Sequence, residues 1–190
     1  MQDSFADVVL TGERVTLRPM REEDAEAVVR WRNDPEIHRW LFSQKLLTLE
    51  SHREWFRRPK PDRLDFVVCL KETGQPIGTV AFSGLDAARG RAEAGKMIGE
   101  PSLWGKGLMK EAFTLWLAFG FERLGLRCIY IRTMASNFRS IGLNEKLGFT
   151  VEEVIRGGHQ AGGVREDILI MGLTREAALR SGVIAGGNQP

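Results

Sequence analysis

The sequence predicts an α+β fold built on a mixed, mostly antiparallel central sheet flanked by helices. Three observations carry that prediction. Runs of strand period and runs of helical period follow one another in the order β-α-α-β-β-β-α-β-α-β-β. Polar turns at 72–76 and 87–90 separate three short apolar runs, the pattern of strands joined by tight connections. In mid-chain a glycine-rich turn, Trp104-Gly105-Lys106-Gly107, runs straight into an amphipathic helix.

The elements follow in order. Val15-Thr16-Leu17-Arg18 alternates as a strand, and Pro19 ends it. Residues 22–32 read as a helix with Ala25, Val28, Val29 and Arg32 on one side, stopped by Asn33-Asp34-Pro35, since the residue before proline avoids helical angles. Residues 37–47 read as irregular. Thr48 caps a second helix to Phe56, with Leu49, His52, Trp55 and Phe56 at helical spacing. Residues 65–70, 77–83 and 91–99 are three strands. After the glycine turn, Leu108, Ala112, Leu115 and Phe119 make one helix face. A buried strand at 127–134, a helix at 138–147 stopped by Gly148, and two last strands at 150–155 and 165–173 around a loop at 157–164 complete the chain.

The length of 190 residues fits one domain, expected over 1–180, with the first residues and a Gly-rich tail at 181–190 frayed. A net charge of +2 gives no reason to propose nucleic acid. The local basic run of Arg53, Arg57, Arg58, Lys60 and Arg63 reads as a solvated helix end rather than a ligand site. Cys69 and Cys128 lie in apolar strands and read as free thiols in a reducing compartment. Neither a signal peptide nor an apolar run of membrane-spanning length is apparent, so the expectation is a cytoplasmic protein with no membrane partner, monomeric or homodimeric. His and Cys show no ligand spacing, so no metal site is expected, and no Gly-x-Ser-x-Gly turn supports a nucleophile mechanism.

Two glycines two residues apart leave backbone N–H groups bare, and the following helix points its positive end at the same place, which suits a pyrophosphate. An NTPase loop is disfavoured because Leu108 follows Gly107. A dinucleotide fingerprint is disfavoured because Lys110 stands at the third glycine. A tight turn that merely starts a helix remains the plainer alternative.

Thirty residues after Gly107 comes Asn137-Phe138-Arg139-Ser140, leading into Glu145-Lys146-Leu147-Gly148-Phe149. This pairing resembles the GNAT N-acetyltransferases, acyl-CoA-dependent enzymes whose signature is Arg/Gln-x-x-Gly-x-Gly/Ala, then Asn-x-x-Ser/Ala and Gly-Phe. The resemblance covers residues 15–173. It is closest to the branch acting on ribosomal-protein N-termini, polyamines and amino sugars. The segment Trp31-Arg32-Asn33-Asp34-Pro35-Glu36-Ile37 with Trp40-Leu41-Phe42 looks most like the nucleotide-linked amino-sugar acetyltransferases. Two positions depart from the family pattern. Met109 replaces a small residue in the turn, and Asn144, taken with Glu93 as a candidate catalytic residue, occupies the position of a tyrosine, the family's proposed acid for the departing thiolate.

The resemblance implies a GNAT fold, acetyl-CoA as co-substrate and a small-molecule amine as acceptor. It implies that Gly105, Lys106, Gly107, Leu108, Met109 and Lys110 hold the pyrophosphate, that Met97 and Ile98 line the pantetheine arm, and that Asn137 and Ser140 contact the cofactor. By composition Met97 and Ile98 are plain strand residues, Asn137 is equally a helix N-cap, and Ser140 an exposed helix serine. Glu93 stands where this branch often carries a basic carboxylate, and an edge-strand carboxylate is the plainer reading. Trp31, His38, Arg39, Trp40 and Phe42, with Lys45, are the expected acceptor wall, and His159 in the last loop closes the other side. For Trp31 or Trp40 taken alone, a core position is the plainer reading. A protein N-terminal acetyltransferase and a non-catalytic acyl-CoA-binding module are the competing readings.

Overall fold

The structure is a computed structural model that describes residues 5–161 and 163–185. The chain divides into two compact units. One takes in residues up to Ser83 together with Gly95–Phe113, and the other Gly84–Ala94 and the residues from Thr114 on.

In the first unit a short strand, β1 (Leu10–Thr11), pairs antiparallel with β2 (Val15–Pro19), β2 with β3 (Leu64–Leu70), and β3 with β4 (Pro76–Asp86). β1 is an addition to the elements read from the sequence. Six successive residues of β3, from Leu64 to Cys69, are buried, so both of its faces are covered. The buried Asp65 among them is held bidentately by Arg63 at 2.7 and 2.8 Å. A 3-10 turn at Glu22–Asp24 leads into α1 (Ala25–Asn33), whose Ala25, Val28 and Trp31 face inward. Asp24 is anchored by both terminal nitrogens of Arg18, at 2.7 and 2.8 Å.

Asn33-Asp34-Pro35 stops α1 as expected and also starts a helix where an irregular stretch was expected. Asp34 caps the Glu36 N–H, and Pro35 opens α2 (Pro35–His38), where a missing N–H costs nothing. Thr48 and Ser51 form a capping box for α3 (Leu49–Arg57). Met20, Val28, Trp31, Ile37, Val67 and Cys69 make the core here, with Trp55, Phe56, Met97 and Trp104 packed on it. The basic run is structural. Arg57 pairs with Glu22, while Lys60 donates to the last carbonyls of α3 and lies 4.2 Å from the Trp55 ring centroid.

In the second unit the strand order is the first half of β5 (Arg91–Ile98), whose last four residues belong to the first unit, then β6 (Cys128–Met134), β8 (Val164–Thr174), β7 (Thr150–Ala161). The β5–β6 ladder is parallel, from Arg91 opposite Cys128 to Glu93 opposite Tyr130, and the others are antiparallel. The fold is therefore α+β with a mixed, mostly antiparallel sheet. The helix after the glycine turn is α4 (Leu108–Glu122). It buries Leu108, Ala112 and Phe119 as read, but Leu115 is only half-buried, and Phe113, Trp116, Leu117 and Phe121 are buried as well. It is a core helix rather than a one-sided one. α5 (Phe138–Lys146) ends at Gly148, where φ is +93°.

The last hairpin is longer than the sequence suggests. The expected loop at 157–164 is strand up to Ala161 and again from Val164. A register shift between Ile155 and His159, with Gly157 at φ +57°, absorbs the glycines as a bulge instead of ending the strand. Nor is the tail frayed as far as Ala185. After α6 (Arg175–Arg180), Val183 and Ile184 are buried, and Ser181 Oγ donates to the Leu147 carbonyl at 2.9 Å. Residues 1–4 and 186–190 lie outside the described residues. Cys69 and Cys128 are free thiols. No helix among the described residues is long and apolar enough to cross a membrane.

Candidate active site

The glycine turn joins the end of β5 to α4 through a 3-10 turn at Pro101–Leu103. Gly105 and Gly107 have φ of +77° and +79°, angles that side chains rarely adopt, so glycine is required at both. Gly105, Lys106, Gly107 and Lys110 are exposed, Met109 is half-buried and Leu108 is buried. The turn thus presents backbone to solvent at the start of a 15-residue helix, whose first N–H groups have no partner within the helix.

Arg14, in the connection between β1 and β2, fastens this turn. Glu111, in the first turn of α4, accepts the Arg14 N–H at 2.7 Å, the Val15 N–H at 3.2 Å and Arg14 Nε at 3.0 Å. Burial raises the affinity of the Glu111 carboxyl for a proton, but the bonds from Arg14 and Val15 outweigh it and hold the group below the usual carboxylate range. Arg14 Nη1 donates to the Lys106 carbonyl at 3.0 Å. Sequence reading missed Arg14, because its partners lie more than ninety residues away and leave no local pattern.

Upstream of the turn, β5 carries Lys96, Met97 and Ile98. β4 approaches so closely that a side chain at Gly78 would strike the Met97 carbonyl. The Ile98 carbonyl accepts the Trp104 indole N–H at 3.1 Å. Lys96 shares its side of the strand with Ala92, Ala94 and Ile98, and its ammonium lies 4.7 Å from the Phe113 ring centroid. Burial pushes its pKa down to about 7. The signal was present in the sequence as a lone lysine on the apolar phase of a strand.

The expected acceptor wall divides. Trp31 is not part of it. The side chain is fully buried, its indole N–H donates to Glu100 Oε1 at 2.8 Å, and a side chain at Gly99 would overlap its ring. His38 is half-buried, with Nδ1 at 3.0 Å from the Arg32 carbonyl oxygen. Arg39, Phe42 and Lys45 are exposed, Trp40 is half-buried, and the Arg39 guanidinium lies 4.8 Å from the Trp40 ring centroid. His52, read on one helix face with Trp55, is buried and stacked on Trp55 at 5.2 Å, and its pKa is lowered by burial and then by Arg32.

In the second unit, Glu93 Oε1 accepts Arg132 Nε at 2.9 Å across the parallel ladder. That bond, ahead of burial, raises the Arg132 pKa further. Asn137 caps α5, its Oδ1 accepting the Ser140 N–H at 3.1 Å, so the N-cap role is realised. Two expectations are corrected here. Asn144 is completely buried, and its amide points at the Met171 sulfur at 3.4 Å, so it fills the core instead of facing a leaving group. A carboxamide also has no proton of suitable acidity to give. His159 is a buried strand residue opposite Glu166, not a loop residue, because the bulge carries β7 past it.

Comparison with known proteins agrees with this geometry. Residues 14–150 match the acetyltransferase (GNAT) domain. The chain is 31% identical over 168 residues to the uncharacterized N-acetyltransferase p20 of Bacillus licheniformis, covering 86% of this chain and 94% of that one. It is 28% identical over 138 residues to the spermidine N(1)-acetyltransferase of Escherichia coli K12, covering 73% and 74%. The solved spermidine N-acetyltransferase of Vibrio cholerae, crystallised with CoA and spermine, shares the fold. Its TM-score is 0.83 at 22% identity, with 88% of this chain and 99% of that one covered. The glycine turn opening α4 and the matched span over both units place the chain in one family: it belongs to the GNAT acetyltransferases.

Proposed function

We propose that this enzyme transfers the acetyl group of acetyl-CoA to the primary amine of a small molecule. The observation that carries the reading is the exposed turn with two left-handed glycines at the head of α4, a place where backbone N–H groups are available to an anion. The residues fit the co-substrate. Gly105 to Lys110 present N–H groups and two lysines to the pyrophosphate, and Met97 and Ile98 lie along the pantetheine arm. Asn137, with its oxygen taken by Ser140, keeps its amide nitrogen for the pantetheine carbonyl.

The chemistry is attack of a neutral amine on the thioester carbon. The C–N bond forms, the C–S bond breaks, and the thiolate leaves with a proton. Glu93 is the group for the amine proton, held in place by Arg132. With Asn144 in the core, the thiolate takes its proton from solvent or from the adduct's own amine nitrogen as the C–S bond breaks and that nitrogen becomes the amide. The turn's contribution is positional, since holding amine and thioester together supplies much of the rate.

For the acceptor we favour an amino sugar carried on a nucleotide. Arg39 over Trp40, with Phe42 and Lys45 exposed beside them in sequence, offers an aromatic and cationic surface suited to a base and phosphates. A polyamine is the second reading, favoured by the spermidine acetyltransferases among the similar proteins. Against it, a polyamine calls for clustered carboxylates, and the acidic residues of this sequence are scattered. A peptide N-terminus is the third.

The test is thiol release from acetyl-CoA with nucleotide-linked amino sugars, spermidine and short peptides. Gly107→Glu is the control. It places a carboxylate where the anion binds, next to Arg14, and should abolish CoA binding in a folded protein. Undiminished CoA affinity in that variant overturns the cofactor reading. Preference for spermidine or peptides moves the acceptor.

A further inference from the structure

The geometry points to Arg14 as a further cofactor-binding residue, a guanidinium from the β1–β2 connection that both locks the glycine turn and contacts the pyrophosphate. This inference rests on the acetyl-CoA reading above. Trp104 is a third departure beside Met109 and Asn144: it takes the leading position of the turn, where the family signature has Arg or Gln, so the turn has no cation at that position.

Each nitrogen of the Arg14 guanidinium is accounted for in space. Nε is held by Glu111 Oε2 at 3.0 Å, and Nη1 by the Lys106 carbonyl at 3.0 Å. Nη2 lies beside Gly107, 3.4 Å from where a β-carbon would stand. An anion cradled by the N–H groups after Gly107 therefore meets Nη2 beside that glycine. The Arg14 side chain is 48% exposed and its partner Glu111 only 17%, so the cation is open to a ligand while its anchor is not.

The arrangement also has an entropic argument. Lys106 and Lys110 are exposed at the same turn and must be immobilised when they meet a phosphate. Arg14 is already fixed by one carboxylate and one carbonyl, so its contact is pre-organised. Glu111, held ionised by its three hydrogen bonds from the Arg14–Val15 segment, cancels one positive charge but leaves Nη2 beside the turn. Charge-assisted bonds to phosphate are about twice as strong as neutral ones.

The experiment measures CoA and pantetheine affinity by calorimetry for wild type, Arg14→Gln and Arg14→Lys. Pantetheine lacks the pyrophosphate. Arg14→Gln is expected to weaken CoA about tenfold more than pantetheine, with Arg14→Lys recovering part of the difference. Equal weakening of both ligands makes Arg14 a purely structural clamp and overturns the inference, as does unchanged CoA affinity. A second measurement covers the case in which the variants do not fold. In wild type, CoA should shield Arg14 from phenylglyoxal, mapped by mass spectrometry, and pantetheine should not. Modification of Arg14 at the same rate with saturating CoA overturns the inference. Absence of any CoA binding by wild type defeats the acetyl-CoA reading itself, a distinct outcome.

Discussion

The indole N–H of Trp31 donates to Glu100 at 2.8 Å, which ties α1 to the connection between β5 and the glycine turn. Arg30 adds a second bond to the same oxygen at 2.7 Å. The Trp31 bond, ahead of burial, holds the Glu100 carboxyl below the usual range. Trp31 thus acts on the site through the backbone that leads to it rather than by touching an acceptor.

Gly99 beside that ring gives the first prediction. A methyl group there overlaps Trp31, which is fully buried and has no room to move. Gly99→Ala is expected to cost about 3 kcal/mol, the upper range for overpacking, and to lower Tm by several degrees. Trp31→Phe removes the donor to Glu100 and is expected to cost about 2 kcal/mol. Thermal melts of both variants check this. A Gly99→Ala protein as stable as wild type contradicts the packing.

The second prediction concerns Glu93 and Arg132. If the carboxylate takes the amine proton and the guanidinium only positions it, the two losses are not additive. Glu93→Gln should lower kcat about a hundredfold or more, and Arg132→Gln about tenfold, with the KM for acetyl-CoA little changed. The double variant should be no worse than Glu93→Gln alone. Multiplying losses would mean that Arg132 meets the acceptor directly. Wild-type turnover in Glu93→Gln would move the proton to water or another side chain.

The parts of this molecule written in short-range pattern were legible in the sequence. β3 is read from one unbroken apolar run, and the glycine turn from two glycines ahead of a helical period. The hairpin at 157–164 was misread because four glycines look like a loop, while the bulge that holds Gly157 and Gly158 depends on pairing with β8. Trp31 was ambiguous for a similar reason. Helical spacing shows that it faces something, but Glu100, 69 residues on, decides what. Arg14 and Glu111 are 97 residues apart and have no signature at either end. Asn144 was assigned by position in a family pattern, and only the Met171 contact shows that the position points into the core.

Lys96 gives the last prediction, a dependence of stability on pH. Burial lowers its pKa from 10.5 to about 7, so between these values the unfolded chain carries a proton that the folded protein has released. Where the unfolded state binds more protons, stability rises with pH. This group therefore contributes a rise in stability from about pH 7 towards pH 10.5, and below pH 7 the folded protein holds a buried ammonium over the Phe113 ring. Lys96→Met keeps the length and apolar stem of the side chain and removes the charge. The variant should be more stable than wild type at pH 6, and the advantage should shrink as pH rises through 7 to 9. Urea titrations at four pH values measure it. A constant difference between the two proteins across that range would mean that Lys96 stays protonated in the folded state, its charge met by a group that burial alone does not describe.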